Sequence, residues 1–357
     1  MRTQNNQPLA GGIRPPGREP RIPGRIFSGL RARVGKMWPD RLLRPPGGPV
    51  LFLLLAPLLL APLIGAAAQN ATPASGDSPY PAIRVDVRLV NVFVNVTDGK
   101  GAPVANLTRD QFLLSEDGQP QKIALFERQS QLPLNIVLAI DTSGSVRKDL
   151  SLEQEAARRF VHALLRPVDQ LDLMAFSDHV SEVVPFTNGL ARIDRGLDKL
   201  RPGAATALYS CVYLAAQNLE PRSGRKVIVL ISDGENTVKG TSFDQAIEAA
   251  VRGEAMVYAI IDVPIAASAG RDLEGEHAMV TLSEETGGKF YYADSSSLQQ
   301  SFERVSEDLR TQYLLGYYPS SRSTSGDFRT ISVKLRGQPA GTDYVVHNRT
   351  GYYPQPE

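Results

Sequence analysis

Cysteine, histidine and tryptophan are scarce in this sequence, and their scarcity excludes several classes of protein. The 357 residues include one Cys, four His and one Trp. A single cysteine cannot form an internal disulfide, so the hydrophobic core must stabilise the fold. The four histidines are scattered and form no HExxH pair, which argues against a zinc enzyme. The sequence also lacks a G-x-S-x-G elbow and a glycine-rich phosphate loop.

Charge is unevenly distributed along the chain. Residues 1–48 contain ten Lys and Arg against two acids, whereas residues 69–357 contain 29 against 36. A domain with such an acidic excess is poorly suited to nucleic acid. The basic segment is rich in Pro and Gly and lacks apolar periodicity, so we expect it to be disordered. Because this segment is long for the start of a leader, our hypothesis is that Met37 is the true translation start.

An uncharged apolar run at residues 49–68 has the pattern of a secretory signal peptide. Arg41 and Arg44 lie just before it, and small alanines close it at residues 66–68. The alternative is a retained membrane anchor, since the run is almost long enough to cross a bilayer. Residues 69–81 have the composition of a linker. We therefore expect an exported protein that is periplasmic, secreted or on the cell surface, with no membrane span once the leader is cleaved.

The most informative stretch is LNIVLAIDTSGS, residues 134–145. Its apolar run predicts a strand buried on both faces, which is typical of a central parallel strand. The strand ends at Asp141, and Ser143 and Ser145 follow at alternate positions. Three small oxygen-bearing side chains can therefore meet at the edge of the sheet where α/β proteins bind ligands. Hard oxygen ligands suit Mg²⁺ or Mn²⁺ better than Zn²⁺.

Two later segments extend this pattern. Residues 226–232, KVIVLIS, predict a second buried strand, which also delivers an aspartate, Asp233, at its end. Between the two strands lies a loop of small residues, 203–208, with a hydroxyl at Thr206 just before an apolar helix pattern.

The order of DTSGS, a GxxTAL-like loop and a strand ending in SDG resembles the von Willebrand factor type A domain with its metal-ion-dependent adhesion site. The resemblance implies a divalent-cation site, with Mg²⁺ or Mn²⁺ favoured over Ca²⁺. The implied ligands are Asp141, Ser143, Ser145, Thr206 and Asp233. One departure is Ala204-Ala205, where the family often has two glycines before the threonine.

The resemblance also implies a binding mechanism. With only two protein carboxylates, the site would remain electrophilic, so an acidic side chain of a protein partner would complete the coordination. Such a protein would not be an enzyme. The alternatives are a structural scaffold with a vestigial metal site and a metal-dependent phosphoester hydrolase. Phosphotransferases of the haloacid dehalogenase type carry Asp-x-Asp at this strand end, and Ser143 replaces the second aspartate here.

Strands alternate with helical patterns over residues 131–311, which predicts a doubly wound, mostly parallel α/β sheet. Residues 82–130 predict a small antiparallel β unit that is too short to be stable alone. We expect the strands of the C-terminal extension, residues 312–357, to complete it. This arrangement resembles exported bacterial proteins related to the von Willebrand factor A domain.

A long charged loop at residues 262–276 is expected at the same sheet edge as the metal ligands. Loops at that edge often carry specificity. We predict that it contacts the partner, and the alternative is a solvated charged loop. The candidate contact residues are Arg271, Asp272, Glu274 and Glu276, with His277 beside them.

Overall fold

The computed structural model describes residues 89–128, 131–144, 150–262, 272–321, 326–337 and 343–354. The predicted basic segment 1–48, the leader 49–68 and the linker 69–81 lie outside the described residues, as do Ser145 and Arg271. Among the helices that are described, none has the length and apolar character needed to span a membrane.

Strands and helices alternate through the middle of the chain and give way to strands at both ends. The strands are β1 Val90–Thr97, β2 Phe112–Glu116, β3 Gln119–Gln121, β4 Ile123–Arg128, β5 Leu134–Asp141, β6 Gln170–Phe176, β7 Val180–Thr187, β8 Arg225–Ser232, β9 Ala255–Asp262, β10 Phe290–Ala293, β11 Tyr313–Tyr317, β12 Arg329–Leu335, β13 Val345–Asn348 and β14 Gly351–Tyr352. The helices are α1 Leu150–Leu164, α2 Leu190–Leu197, α3 Leu208–Leu219, α4 Phe243–Arg252, α5 Leu273–Thr286 and α6 Leu298–Thr311.

The central sheet has six strands in the order β10-β9-β8-β5-β6-β7. All neighbouring strands are parallel except β7, which runs antiparallel to β6 at one edge. Side chains of β5 alternate between two cores, with α1, α2 and α6 on one face and α3, α4 and α5 on the other. This burial on both faces explains the unbroken apolar run of β5. The predicted doubly wound, mostly parallel sheet is confirmed.

Two four-stranded antiparallel sheets flank this domain. Their strand orders are β13-β1-β11-β4 and β14-β12-β2-β3, and they enclose a third apolar core. Each sheet combines strands that precede the central domain with strands that follow it. Strand β11 lies between β1 and β4, so the N-terminal strands do not form one sheet of their own. The predicted flanking β unit, built from both ends of the chain, is present.

Helix α5 begins inside the segment predicted to be a charged loop. Its first residue is Leu273, because the Asp272 carboxylate accepts hydrogen bonds from the backbone N–H groups of Glu274 and Gly275, both at 3.1 Å. This is a helix N-cap. Residues 273–276 are therefore helical and not part of a loop, and Glu276 is buried. The prediction that the loop extends to Glu276 is wrong, because helix α5 begins at Leu273.

Candidate metal centre

Parallel strands β5 and β8 lie side by side and end at the same edge of the central sheet. Strand β5 delivers Asp141, followed by Ser143, and β8 is followed by Asp233. Asp141 and Ser143 are almost completely buried, and Asp233 is half-buried. The sheet register thus brings Asp141, Ser143 and Asp233 to one edge of the sheet, as expected for α/β proteins.

Neutral donors hold the Asp141 carboxylate in place. The backbone N–H of Ser143 donates to Oδ1 at 2.8 Å, and the hydroxyl of Ser232 donates to Oδ2 at 2.6 Å. Ser232 is fully buried. Ser232 is the serine of the SDG motif but was not predicted as a site residue, and the register of β5 and β8 places this last residue of β8 beside Asp141.

The loop that carries Thr206 is tied to the loop that follows Asp233. The backbone N–H of Thr206 donates to Oγ1 of Thr237 at 2.8 Å, and its carbonyl accepts from the N–H groups of Thr237 and Val238, each at 3.0 Å. Oδ1 of Asn236 accepts from the N–H of Tyr209 in the first turn of α3. Thr206 itself is buried. The polar residues after Asp233 therefore position the predicted threonine ligand.

The turn between β6 and β7 supports the same loop from the other side. The carboxylate of Asp178 accepts from the N–H groups of Ala204 at 2.9 Å and Ala205 at 3.3 Å. These contacts hold the two alanines that replace the glycines of the family pattern. The backbone hydrogen bonds lower the pKa of Asp178. Asp178 was not predicted as a site residue, because its role depends on the hairpin lying beside a loop distant in sequence.

Close packing brings this loop against the residues that follow β5. The N–H of Gly203 donates to the carbonyl of Thr142 at 2.6 Å. A Cβ on Gly203 would lie 2.3 Å from Oγ of Ser177, so only glycine fits there. A Cβ on Gly144 would lie 3.5 Å from the carbonyl oxygen of Ala204. The structure therefore places the Thr206 loop directly beside the Asp141 loop.

Electrostatics at this edge favour a cation. Burial raises the pKa of Asp141 to about 7, against the opposing effect of its hydrogen bonds, and the nearby negative charge of Asp233 raises it further. Within the described part of the chain, no three His, Cys, Asp or Glu side chains cluster so that they could hold a metal ion. A cation here would therefore depend on the hydroxyls of Ser143 and Thr206 together with the two aspartates. Such a set of hard oxygen ligands fits Mg²⁺ or Mn²⁺.

The predicted partner-contact residues divide into two groups. A Cβ on Gly275 would lie 1.9 Å from the carbonyl oxygen of Gly234, so the first turn of α5 packs directly on the loop after Asp233. This contact places Asp272 and Glu274 near the candidate metal centre, and both stay predicted partner contacts. Glu276 lies in the same turn, but it is buried and offers a partner little accessible surface.

Comparison with known families supports this description. Residues 136–235 match the family model described as von Willebrand factor type A domain. The chain contains a von Willebrand factor type A domain. The matched part of this A domain runs from β5 to the loop after β8, and it includes Asp141, Ser143, Thr206 and Asp233.

Several solved structures are similar to the chain. One is BatB from Bacteroides thetaiotaomicron, with 20% identity over 49% of this chain and 99% of that chain and a TM-score of 0.39. Another is the vWF domain of the type V pili tip protein Mfa5 from Porphyromonas gingivalis, with 13% identity over 50% of this chain and 95% of that chain and a TM-score of 0.42.

A third similar structure is proximal thread matrix protein 1 from the mussel byssus, which has a zinc-occupied MIDAS motif. It shows 17% identity over 52% of this chain and 47% of that chain, with a TM-score of 0.43, so the match spans less than half of the mussel protein. A comparison with curated proteins returned no match.

Proposed function

We propose that this protein is an exported, divalent-cation-dependent interaction module whose A domain captures an acidic side chain of a protein partner. The observation that carries this proposal is the juxtaposition of the buried Asp141 with Ser143 and with the loop of Thr206, at an edge where Asp233 adds the second carboxylate. Mg²⁺ or Mn²⁺ is the proposed cation. Export is proposed from the signal-peptide pattern of residues 49–68.

Each residue has a defined part in this mechanism. Asp141 presents a carboxylate whose orientation is fixed by Ser232, and Ser143 and Thr206 present neutral hydroxyl oxygens. A bound divalent cation supplies positive charge that attracts a carboxylate oxygen from outside the chain. Because two protein carboxylates and neutral hydroxyls do not overcompensate a double positive charge, a third carboxylate can still be attracted.

Enzymatic activity is not part of this proposal. Phosphoryl transfer of the haloacid dehalogenase type would need a general acid or base two positions after Asp141, and Ser143 lies there. Turnover of a phosphoester such as p-nitrophenyl phosphate that is lost in Asp141→Ala would contradict the proposal and favour the hydrolase alternative.

A melting experiment tests the metal site. The melting temperature of the chain is measured in millimolar Mg²⁺, Mn²⁺ or Ca²⁺ and in chelator, for the wild type, Asp141→Ala and the control Asp110→Ala. The side chain of Asp110 is 93% exposed and lies in the flanking part of the chain. A cation that binds only the folded state raises stability, by about 2.7 kcal/mol at a hundred times its Kd. We expect this rise in the wild type and control but not in Asp141→Ala.

Partner capture needs a separate readout. Peptides that each carry one Asp are compared with the same peptides carrying Asn, in Mg²⁺ and in chelator. We expect binding only for the Asp peptides and only with the cation. A chain that shows no cation-dependent rise in melting temperature and no such binding is a structural scaffold with a vestigial metal site.

A further inference from the structure

A groove of about 620 Å³ lies on the flanking sheet β14-β12-β2-β3, outside the A domain. Strands β2 and β3, the 3-10 turn before β2 and the end of β12 line it. Its floor contains the apolar side chains of Leu113 and Pro120 together with Ser115. Leu113, the second residue of β2, is 41% exposed.

Positive charge surrounds this apolar floor. The charged residues that line the groove are Arg109, Lys122, Lys334, Arg336 and Asp110. Arg109 lies 3.9 Å from Asp110, and within the described part of the chain no acid forms an ion pair with either lysine or with Arg336. This local excess of cations contrasts with the acidic excess of residues 69–357 as a whole. The groove is therefore a positively charged patch within a part of the chain, residues 69–357, that carries a net negative charge.

The strand register arranges charge and apolar surface in one row. Lys334 of β12 is directly opposite Leu113 of β2. Strand β3 pairs with β2 so that its last residue, Gln121, lies opposite Leu114, and Lys122 follows β3 directly and lines the same groove. Directly opposite residues of antiparallel strands share a face. Leu113 therefore lines the same groove as two lysines, Lys334 on the neighbouring strand and Lys122 just after β3.

We propose that this groove binds an acidic peptide segment of a protein partner, in which Asp or Glu flanks an apolar residue at every second position, so that all three side chains share one face of the extended peptide. The carboxylates would meet Lys122 and Lys334, and an apolar side chain would cover Leu113. A flat membrane surface cannot reach the floor of a concave groove. A uniformly charged polymer would meet the lysines but would leave Leu113 in contact with water. The peptide is therefore the ligand that complements both the charge and the apolar floor.

The test measures binding of a fluorescein-labelled peptide of Asp-Ser-Leu-Ser repeats, named here the Asp-Leu peptide, to the full chain by fluorescence anisotropy. Chelator is present, so that the candidate metal centre does not contribute. The comparison peptides replace every Asp by Asn or every Leu by Ser, and heparin serves as the uniformly charged polymer. The variants are Lys122→Glu with Lys334→Glu, and separately Leu113→Ser. Because all three side chains are exposed, we expect these variants to fold.

The matched control is Arg192→Glu with Lys199→Glu, which reverses two exposed cations on and after α2. We expect the Asp-Leu peptide to bind the wild type and this control, and the double reversal at the groove to weaken binding about tenfold or more, with a steep dependence on salt. Leu113→Ser should weaken binding of the Asp-Leu peptide and leave binding of heparin unchanged.

Three results would overturn the proposal. The first is no binding of the Asp-Leu peptide. The second is equally tight binding of heparin or of the Asp-Ser peptide, which would indicate a site for charge alone. The third is self-association in sedimentation experiments that the groove variant abolishes, since a second copy of the chain would then be the occupant.

Discussion

Two buried carboxylates in different parts of the molecule are compensated in different ways. Glu116 in the flanking sheets is 2% exposed and forms an ion pair with Arg329, while the hydroxyl of Tyr352 donates to the same oxygen. Asp141 in the A domain is fully buried as well. Its hydrogen bonds come from the neutral groups of Ser143 and Ser232, and within the described residues no Lys, Arg or His pairs with it.

The two carboxylates differ in whether a positively charged side chain compensates the buried negative charge. An ion pair such as that of Glu116 and Arg329 compensates the buried charge within the protein and joins two strands 213 positions apart in sequence. The carboxylate of Asp141 is held in position without a compensating charge, and Asp233 adds a second negative charge nearby. This arrangement supports the proposed cation site in the A domain, whereas the buried charge of Glu116 in the flanking sheets is already compensated by Arg329.

Removing the guanidinium from the flanking pair should have the largest effect. In Arg329→Ala, Glu116 keeps its burial and loses its cation, so the free energy of unfolding should fall by about 3–5 kcal/mol in urea titrations. Arg109→Ala, which removes a mostly exposed arginine, serves as the control and should change stability by less than about 1 kcal/mol. The double variant Arg329→Met with Glu116→Leu should recover most of the loss. A loss below about 1 kcal/mol in Arg329→Ala would show that Glu116 does not depend on this ion pair.

Replacing Asp141 by a neutral residue should raise the free energy of unfolding in the absence of metal. Because its pKa is raised to about 7 from an ordinary value of 3.8, the folded state holds this proton more tightly than the unfolded state. Asp141 therefore lowers stability progressively as the pH rises from about 4 to about 7, by up to about 4 kcal/mol. In chelator at pH 8, Asp141→Asn should be more stable than the wild type, and this advantage should vanish near pH 4.

The measurement is the unfolding free energy of both chains across this pH range. Comparing two chains that differ only at residue 141 cancels the contribution of Asp172, whose pKa burial also raises, to about 6. A constant difference between the two chains from pH 4 to pH 8 would contradict the account of Asp141.

Weakening the support of the Thr206 loop should have a smaller effect on stability. Asp178→Ala removes the acceptor for the N–H groups of Ala204 and Ala205 and should lower stability slightly in chelator. Cation affinity should fall by about tenfold or more, because groups that position ligands commonly have effects of that size. Asp198→Ala, an exposed aspartate after α2, is the control for removal of a carboxylate. Unchanged cation affinity in Asp178→Ala would mean that the loop does not need this support.

The elements of the A domain could be predicted because their signals are local. The apolar run of β5 and the oxygen-bearing residues after it are contiguous, so Asp141 and Ser143 follow from the sequence alone. The contributions of Ser232 and Asp178 depend on which strands and loops become neighbours, and single-sequence patterns do not contain that information. The burial of Glu276 follows from the contact of Gly234 with Gly275, which is equally nonlocal.

The flanking sheets show the same limit at a larger scale. Their strands have recognisable period-two patterns, and the need for a partner follows from the small size of the N-terminal unit. That β11 lies between β1 and β4 could not be predicted, because strand order is decided by the assembled core. The Glu116–Arg329 ion pair follows only from that assembly.

Direct titration of Mn²⁺ into the metal-free chain, followed by electron paramagnetic resonance, tests the central claim most directly. The wild type is compared with Asp141→Ala, Thr206→Val and the control Asp198→Ala at pH 8. We predict one Mn²⁺ site per chain in the wild type and control, weaker binding in Thr206→Val and none in Asp141→Ala. No Mn²⁺ bound by the wild type, or the same binding in Asp141→Ala, would contradict a cation site built on Asp141.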